Sequence, residues 1–401
     1  MMAVLQNALY YLAPFLLVIT VIVVVHELGH FFVARAFGVA IDKFSIGFGR
    51  AVASWKDRSG VEWRIGWLPL GGYVRFAGDE NAASVPDQDD LAAMRAAIIA
   101  REGVGAEKRH LAFKPLWQRS LVVLAGPAAN FLLAIVLFAF VFGAFGEPIS
   151  STRVDSVVAT GAAARAGFLP GDEVMRADGR PMRSFEDVQL YVASRAGTAI
   201  DFTVQRDGRP LHLTALPSTD QQVSPFGGKQ RVGRLGLEAR VVWRRYGPIG
   251  ALVRGAGETW DVTGLTLSYL GRVVSGKVGA DQLASFIGIA HASGSITKQA
   301  VAVAHQEGVN WVIVVAHALI GLTALMSVSV GLLNLLPIPT LDGGHLLFYA
   351  YESVLRRPPR ASVQAAGYRA GLALLVGLML FATWNDLQRL RVFHFLGSLF
   401  S

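Results

Sequence analysis

The sequence predicts a polytopic α-helical membrane protein with about four transmembrane helices, a membrane-associated β-hairpin region, and a soluble α+β domain inserted between the second and third helices. Three observations predict it. Of 401 residues, 53% are hydrophobic and only 16% charged, where an ordinary soluble chain carries roughly 25% charged residues. Four apolar runs reach the ~20 residues that cross a bilayer. One long interval, about 147–240, has the alternation and turn residues of strands instead. The net charge of +8 and pI near 9.9 would suit either nucleic acid or an anionic membrane surface. With a mean hydropathy of +0.43, basic loops beside apolar spans account for it, and no nucleic-acid partner is expected. The absence of cysteine excludes disulfides, thiol nucleophiles and cysteine metal ligands.

The first run covers about Ala8–Val25 and meets no Lys or Arg before Arg35. It lacks the basic start of a signal peptide and is expected to stay as a span. The second is Leu121–Phe145, interrupted only by Gly126-Pro127 and Asn130. The third runs from Trp311 to Leu336 and the fourth from Gly367 to Trp384. The segment between the first two spans is basic, with Arg35, Lys43, Arg50, Lys56, Arg58 and Arg64 among its charges, and Arg356, Arg357 and Arg360 separate the last two. Short basic loops stay in the cytoplasm, so both termini and the 147–240 region are expected outside it. Arg389 and Arg391, after the last span, weigh mildly the other way.

Within 147–240, Ile200–Gln205 alternates as a strand, and Asp178-Gly179 and Asp207-Gly208 mark turns. Tyr246–Gly308 is of mixed polarity with a helical rhythm over Thr259–Val274, the pattern of amphipathic helices lying along a membrane surface. The chain thus divides into an N-terminal membrane core (1–146), the inserted domain (147–240), an interfacial segment (241–309) and a C-terminal membrane core (310–401).

His26-Glu27-Leu28-Gly29-His30 lies at the inner end of the first span. Positions four apart share a helix face, so both imidazoles can reach one metal ion. Zinc acidifies a bound water toward pKa ~7, and Glu27 is placed to take its proton. Ionisable groups at that depth cost several kcal/mol unless function retains them; the alternative is that they snorkel to the interface as topology markers. A third protein ligand is needed to leave one position open. Asp342 is the stronger candidate, in Asn334-Leu335-Leu336-Pro337-Ile338-Pro339-Thr340-Leu341-Asp342-Gly343-Gly344. Pro337 and Pro339 end regular helix there, and non-helical backbone at membrane depth is tolerated where it lines a cavity. His345 is a rival ligand.

Gly161-Ala162-Ala163-Ala164-Arg165-Ala166-Gly167-Phe168-Leu169-Pro170-Gly171-Asp172-Glu173-Val174 resembles the signature of a bacterial PDZ domain, present once. His26–His30 together with Asn334–Gly343 resemble the two motifs of the site-2 protease family of intramembrane metalloproteases, and within it the bacterial regulator of sigma-E protease branch. The likeness continues through Gly71-Gly72-Tyr73-Val74-Arg75, Gly126-Pro127-Ala128-Ala129-Asn130-Phe131 and Tyr246-Gly247-Pro248. It departs in having one PDZ domain where the branch often has two, and Ser285-Phe286-Ile287-Gly288-Ile289-Ala290 where the branch often reads Gly-Pro-Ile-x-Ile-Ala.

The resemblance implies one zinc ion per chain on His26, His30 and Asp342, with Glu27 as general base and His345 not a ligand. It implies that Asn334 holds the substrate backbone or the developing oxyanion, with Pro337, Pro339, Gly71, Gly72 and Tyr73 in the substrate-binding set. Phe44–Val74, which alternates weakly around a turn at Lys56–Gly60, resembles the family's membrane-associated β-hairpins, whose exposed edge can pair with an unwound substrate. The implied activity is endoproteolysis of single-span transmembrane proteins, such as trimmed anti-sigma factors or signal-peptide remnants. The implied setting is a bacterial inner membrane, with lipid around the spans, both termini and the PDZ domain periplasmic, and the active site near the cytoplasmic side. The PDZ domain is expected to stand over the outer entrance and exclude untrimmed substrates, the alternative being that it binds a peptide C-terminus exposed by trimming. The competing function is a metal or proton transporter; it has no need of a Glu beside paired histidines, whereas hydrolysis does.

Overall fold

A computed structural model describes residues 2–78, 88–182, 184–223, 229–276 and 285–389. They form two compact units: Met1–Val141 with Pro248–Ser401, and Phe142–Gly247. Arg391 and the C-terminus, used in assigning orientation, lie outside the described residues.

In the first unit, α1 (Met2–Ala36) continues well past the predicted end at Val25. The His-Glu-x-x-His motif therefore sits inside an unbroken helix, because nothing from Val25 to Ala36 interrupts helical hydrogen bonding. The helix stops at Gly38, whose φ of 67° is left-handed, and Lys114 Nζ caps it by donating to Phe37 O at 2.7 Å.

β1 (Ile41–Lys56) and β2 (Glu62–Phe76) pair with each other, and both strands bend back on themselves, so that two stretches of the pairing run antiparallel and one, 43–46 beside 62–65, runs with both numbers rising together. Residues 43–46 pair with 72–75 on one side and 62–65 on the other, and 51–56 pair with 62–66. The expected hairpin region is thus a sheet of four segments, ordered 72–76, 41–46, 62–66, 51–56. Phe31, Phe44, Val61 and Val74 form the buried seam between this sheet and α1. Next come α2 (Gln88–Glu102), two 3-10 turns, and α3 (Leu116–Ala144), which passes through Gly126-Pro127 without a break.

The second unit is a mixed module built from β3 (Glu147–Val157), α4 (Ala162–Arg165), β4 (Glu173–Ala177), β5 (Arg180–Pro181), α5 (Phe185–Ala193), β6 (Ile200–Arg206), β7 (Arg209–Ala215), β8 (Ser218–Val223), β9 (Lys229–Arg234) and β10 (Leu237–Arg244). Its antiparallel sheet runs β10-β3-β4-β6-β7, with β5 beside β4, and β8-β9 form a separate hairpin. The alternation read in the sequence is realised in β6, where Ile200, Phe202 and Val204 are fully buried against Phe168, Val174 and Val188. Asp178-Gly179 and Asp207-Gly208 both adopt positive φ, as tight hairpin turns require. α5 begins in a Ser184/Asp187 capping box.

Asp172 has no exposed surface and receives the Arg206 guanidinium through two bonds, at 2.7 and 2.8 Å, and Leu169 N–H at 2.9 Å. Burial alone would raise its pKa, yet these donors hold it below the usual carboxylate range. α5 and the Val232–Glu238 segment enclose a groove of about 740 Å³ beside β10, the end strand of the sheet among the described residues.

Returning to the first unit, α6 (Pro248–Val274) and α7 (Phe286–Glu307) are followed by α8 (Trp311–Asn334), α9 (Asp342–Leu355) and α10 (Ala361–Arg389). Tyr10–Ala36, Leu116–Ala144, Trp311–Asn334 and Ala361–Gln388 are the four described helical segments long and apolar enough to cross a membrane. α7 buries Ser293, Gly294, Thr297, Ala300 and Ala304, small residues that let helices approach closely. Its N-terminus is capped from α10: Asp386 Oδ2 accepts from Ser285 N and Oγ, both at 2.7 Å, and from Gly288 N at 2.9 Å. Arg119 on α3 donates to both oxygens of Glu352 on α9, at 3.1 and 2.5 Å, and so docks the helix that opens with Asp342.

Candidate metal centre

The centre is built from three helices. On α1, the i, i+4 spacing brings the rings of His26 and His30 to 4.8 Å between centroids, nearly perpendicular, with their Nε2 atoms 3.2 Å apart. On α9, Asp342 is the first helical residue. The turn before it, through Pro337 and Pro339, is closed by Ile338 N–H to Leu336 O at 2.7 Å and Leu341 N–H to Ile338 O at 2.8 Å. Gly343 and Gly344 press against the backbone of this turn, where any Cβ would collide with Leu335, Leu336, Ile338 and Pro339. That close packing sets Asp342 Oδ2 3.1 Å from His26 Nε2 and 3.5 Å from His30 Nε2.

These three residues are the one group of potential ligands among the described residues that converges in this way. Asp342 Oδ2 is buried and has no hydrogen-bond partner among the described residues. A tetrahedral zinc with bonds of about 2.0–2.2 Å holds its ligand atoms roughly 3.3 Å from each other, so the donor set fits that ion. α3 closes the cradle: at Gly126 a Cβ would lie 2.6 Å from His30 Cε1 and 2.8 Å from His26 Cε1.

Glu27 lies beside the group. Its Oε2 accepts the Val74 backbone N–H at 3.1 Å, and Gly72 packs beside its side chain, where a Cβ would stand 3.4 Å from Glu27 Cγ. Thr20 Oγ1 donates to Pro69 O at 2.9 Å, a second tie between α1 and β2. Gly71 has a φ of 127° and faces the Phe48 ring, which stacks on Tyr73 at 6.1 Å. The sheet edge carrying Gly71, Gly72 and Tyr73 therefore lies against the carboxylate. Asn334 is the last residue of α8 and half-buried; Pro339 is half-buried beneath Gly367 and Gly371 of α10, while Pro337 is exposed. His345 is not in the converging group, and its ring lies 6.1 Å from that of Tyr368.

Two contributors had no role in the sequence reading. Val74 acts through its backbone, which no residue type announces. Asn130 stands 3.2 Å from His26 Nδ1; its signal was a polar side chain within an apolar span, which is functional by default.

A polytopic helical protein with two histidines, a carboxylate ligand set and an adjacent glutamate has the makings of a membrane metallohydrolase, and comparison with known proteins agrees. The model of peptidase family M50 matches residues 14–378. Metalloprotease MmpA of Caulobacter vibrioides is 52% identical over 97% of this chain and 98% of its own length. An Agrobacterium fabrum protein with zinc metalloprotease in its name is 40% identical over 95% and 96%. The regulator of sigma-E protease RseP of Escherichia coli is 30% identical over 95% of this chain and 99% of its own. The PDZ domain of an SdrC-like protein from Listeria monocytogenes aligns with 22% of this chain and 87% of that domain, at 16% identity and a TM-score of 0.18. The chain belongs to peptidase family M50, the site-2 proteases. It is an intramembrane zinc metalloendopeptidase, and of the two functions weighed from sequence, family membership favours hydrolysis over transport.

Proposed function

We propose that the chain holds one zinc ion through His26, His30 and Asp342 and, with Glu27 as general base, cuts single-span membrane proteins within or beside their transmembrane segments. The observation that carries this reading is the convergence of three ligand atoms within 3.1–3.5 Å beside a carboxylate already oriented by Val74 N–H. Bound zinc supplies a Lewis acid that acidifies water and polarises a carbonyl. Glu27, pinned through Oε2, uses Oε1 to take the proton of the attacking water.

An unwound substrate adds as a strand to the edge at Gly71–Tyr73, next to Glu27. Asn334, at the end of α8, holds the substrate backbone or the developing oxyanion, with the Pro337–Pro339 turn completing the site. Substrates of this kind include anti-sigma factors already trimmed outside and leftover signal peptides. The protein resides in a bacterial inner membrane with the centre near the cytoplasmic side and both termini and residues 147–240 in the periplasm, which the basic loops support. Lipid surrounds the spans and meets the exposed stripe of α6 formed by Ile249, Val253, Trp260 and Leu267. The PDZ groove between α5 and β10 takes the C-terminus of a trimmed substrate or, by its bulk, turns untrimmed ones away.

The test is Glu27→Gln in purified chain, assayed on a single-span substrate. The variant keeps its zinc, retains uncut substrate and loses 10²–10⁴-fold in rate, the usual contribution of general-base catalysis. Cleavage at a near wild-type rate overturns the reading.

A further inference from the structure

Asn130 belongs to the Gly126–Phe131 motif, to which the proposed reaction assigns no role. It lies one helical turn beyond Gly126, on the same face of α3, and has no exposed surface. Its backbone is fixed by Ser327 Oγ of α8, which donates to Asn130 O at 2.8 Å. Its amide stands with Nδ2 3.2 Å from His26 Nδ1, while Oδ1 is buried without a partner among the described residues.

The chemistry of His26 decides which amide atom belongs there. As placed, an N–H of the amide donates to a bare Nδ1, which requires the imidazole hydrogen on Nε2. That hydrogen would point at Asp342 and His30, and Nε2 could not ligate. With Nε2 free for a cation, the hydrogen is on Nδ1 and needs an acceptor. The oxygen and nitrogen of an amide occupy nearly equal positions. Turning it over puts Oδ1 on Nδ1–H and gives the orphaned oxygen its donor. His30 follows the same rule without ambiguity, because its Nδ1 lies 2.8 Å from Val122 O, which can only accept.

We propose that Asn130 is a positioning residue for the metal centre: its side-chain oxygen accepts the Nδ1 hydrogen of His26 and fixes the tautomer that presents Nε2 to zinc. α3 thereby orients both histidines, His30 through a backbone carbonyl and His26 through a side chain. The inference rests on the proposed ligand set.

The test is zinc affinity, measured by chelator competition on the purified full-length chain. Asn130→Leu keeps the volume and removes the acceptor; Asn130→Asp keeps acceptors and removes both donors. Loss of such a partner lowers metal affinity about 10–100-fold. That loss is expected for Asn130→Leu, while Asn130→Asp and Ser327→Ala, which disturbs the same helix crossing, stay close to the parent. An Asn130→Leu variant that binds zinc like the parent overturns the proposal, as does an Asn130→Asp variant as weak as Asn130→Leu. A parent chain that binds no zinc overturns the ligand set itself, which separates the two failures. Independently of any variant's folding, ¹⁵N-histidine NMR of the zinc-loaded parent should show a slowly exchanging Nδ1–H on His26; a hydrogen on Nε2 overturns the assignment.

Discussion

Gly126→Ala is the perturbation whose effect follows most directly from the geometry. The added Cβ would lie 2.6 Å from His30 Cε1 and 2.8 Å from His26 Cε1, where carbon atoms rest at about 3.5–4.0 Å. Either the two rings or α3 must retreat by about 1 Å. Helix propensity favours alanine by about 1 kcal/mol, and forcing a methyl into a packed site costs about 1–3 kcal/mol. The net change in stability is therefore small, and the damage falls on the centre. A misplacement of about 1 Å costs on the order of 10² in rate. Cleavage of a single-span substrate and zinc affinity should both fall, while the melting temperature shifts little. Gly321→Ala is the control, since nothing among the described residues lies within 4 Å of a Cβ at Gly321 on α8; it should leave cleavage and zinc unchanged. Parent-like cleavage and zinc affinity in Gly126→Ala would refute the close packing of α3 on the histidines.

Three further outcomes are expected. Asp172→Asn removes the buried carboxylate that receives the partly exposed Arg206 guanidinium and should destabilise the chain by about 1–2 kcal/mol at neutral pH, read as a lower melting temperature; no change would sink the pairing. Because the folded-state pKa of Asp172 is lowered, its contribution is full above the ordinary value of ~3.9 and drains away as pH falls from there through the lowered value; the acid limb of the parent's melting curve should be shallower in Asp172→Asn. Single cysteines placed in this cysteine-free chain at Asp207 and Arg58 should label from the periplasm and the cytoplasm respectively, and labelling of position 207 only from the cytoplasm refutes the orientation. Replacing about 150–240 by a short linker should leave zinc binding intact and admit an untrimmed substrate; a variant that still rejects it while cutting trimmed substrate normally removes any role of this inserted region in access.

What could be read from the sequence was whatever depends on local spacing. The i, i+4 histidines needed only helical geometry to converge, and the Asp-Gly pairs needed only turn chemistry to adopt positive φ. Asp342 was readable as a candidate from the helix break at Pro337 and Pro339, whereas His345, three residues on, was set aside only by the family resemblance; in the structure the ring of His345 lies near that of Tyr368. Span ends were less legible: α1 runs through the charged motif to Ala36, since a hydropathy run stops at His26 but helical hydrogen bonding does not. The four-segment course of β1 and β2 was hidden because residues 43–46 pair on both sides, a register that alternation alone does not reveal. The hold on Glu27 was not legible either, since it comes from a backbone N–H, and Asn130 shows its partner only when α3 is laid on α1.

The central claim is the ligand set, and zinc content in Asp342→Ala and His345→Ala beside the parent tests it most directly. After dialysis against a weak chelator, elemental analysis should give one zinc per chain for the parent and for His345→Ala, and far less for Asp342→Ala. Full zinc in Asp342→Ala, with loss in His345→Ala, would contradict the centre described for His26, His30 and Asp342.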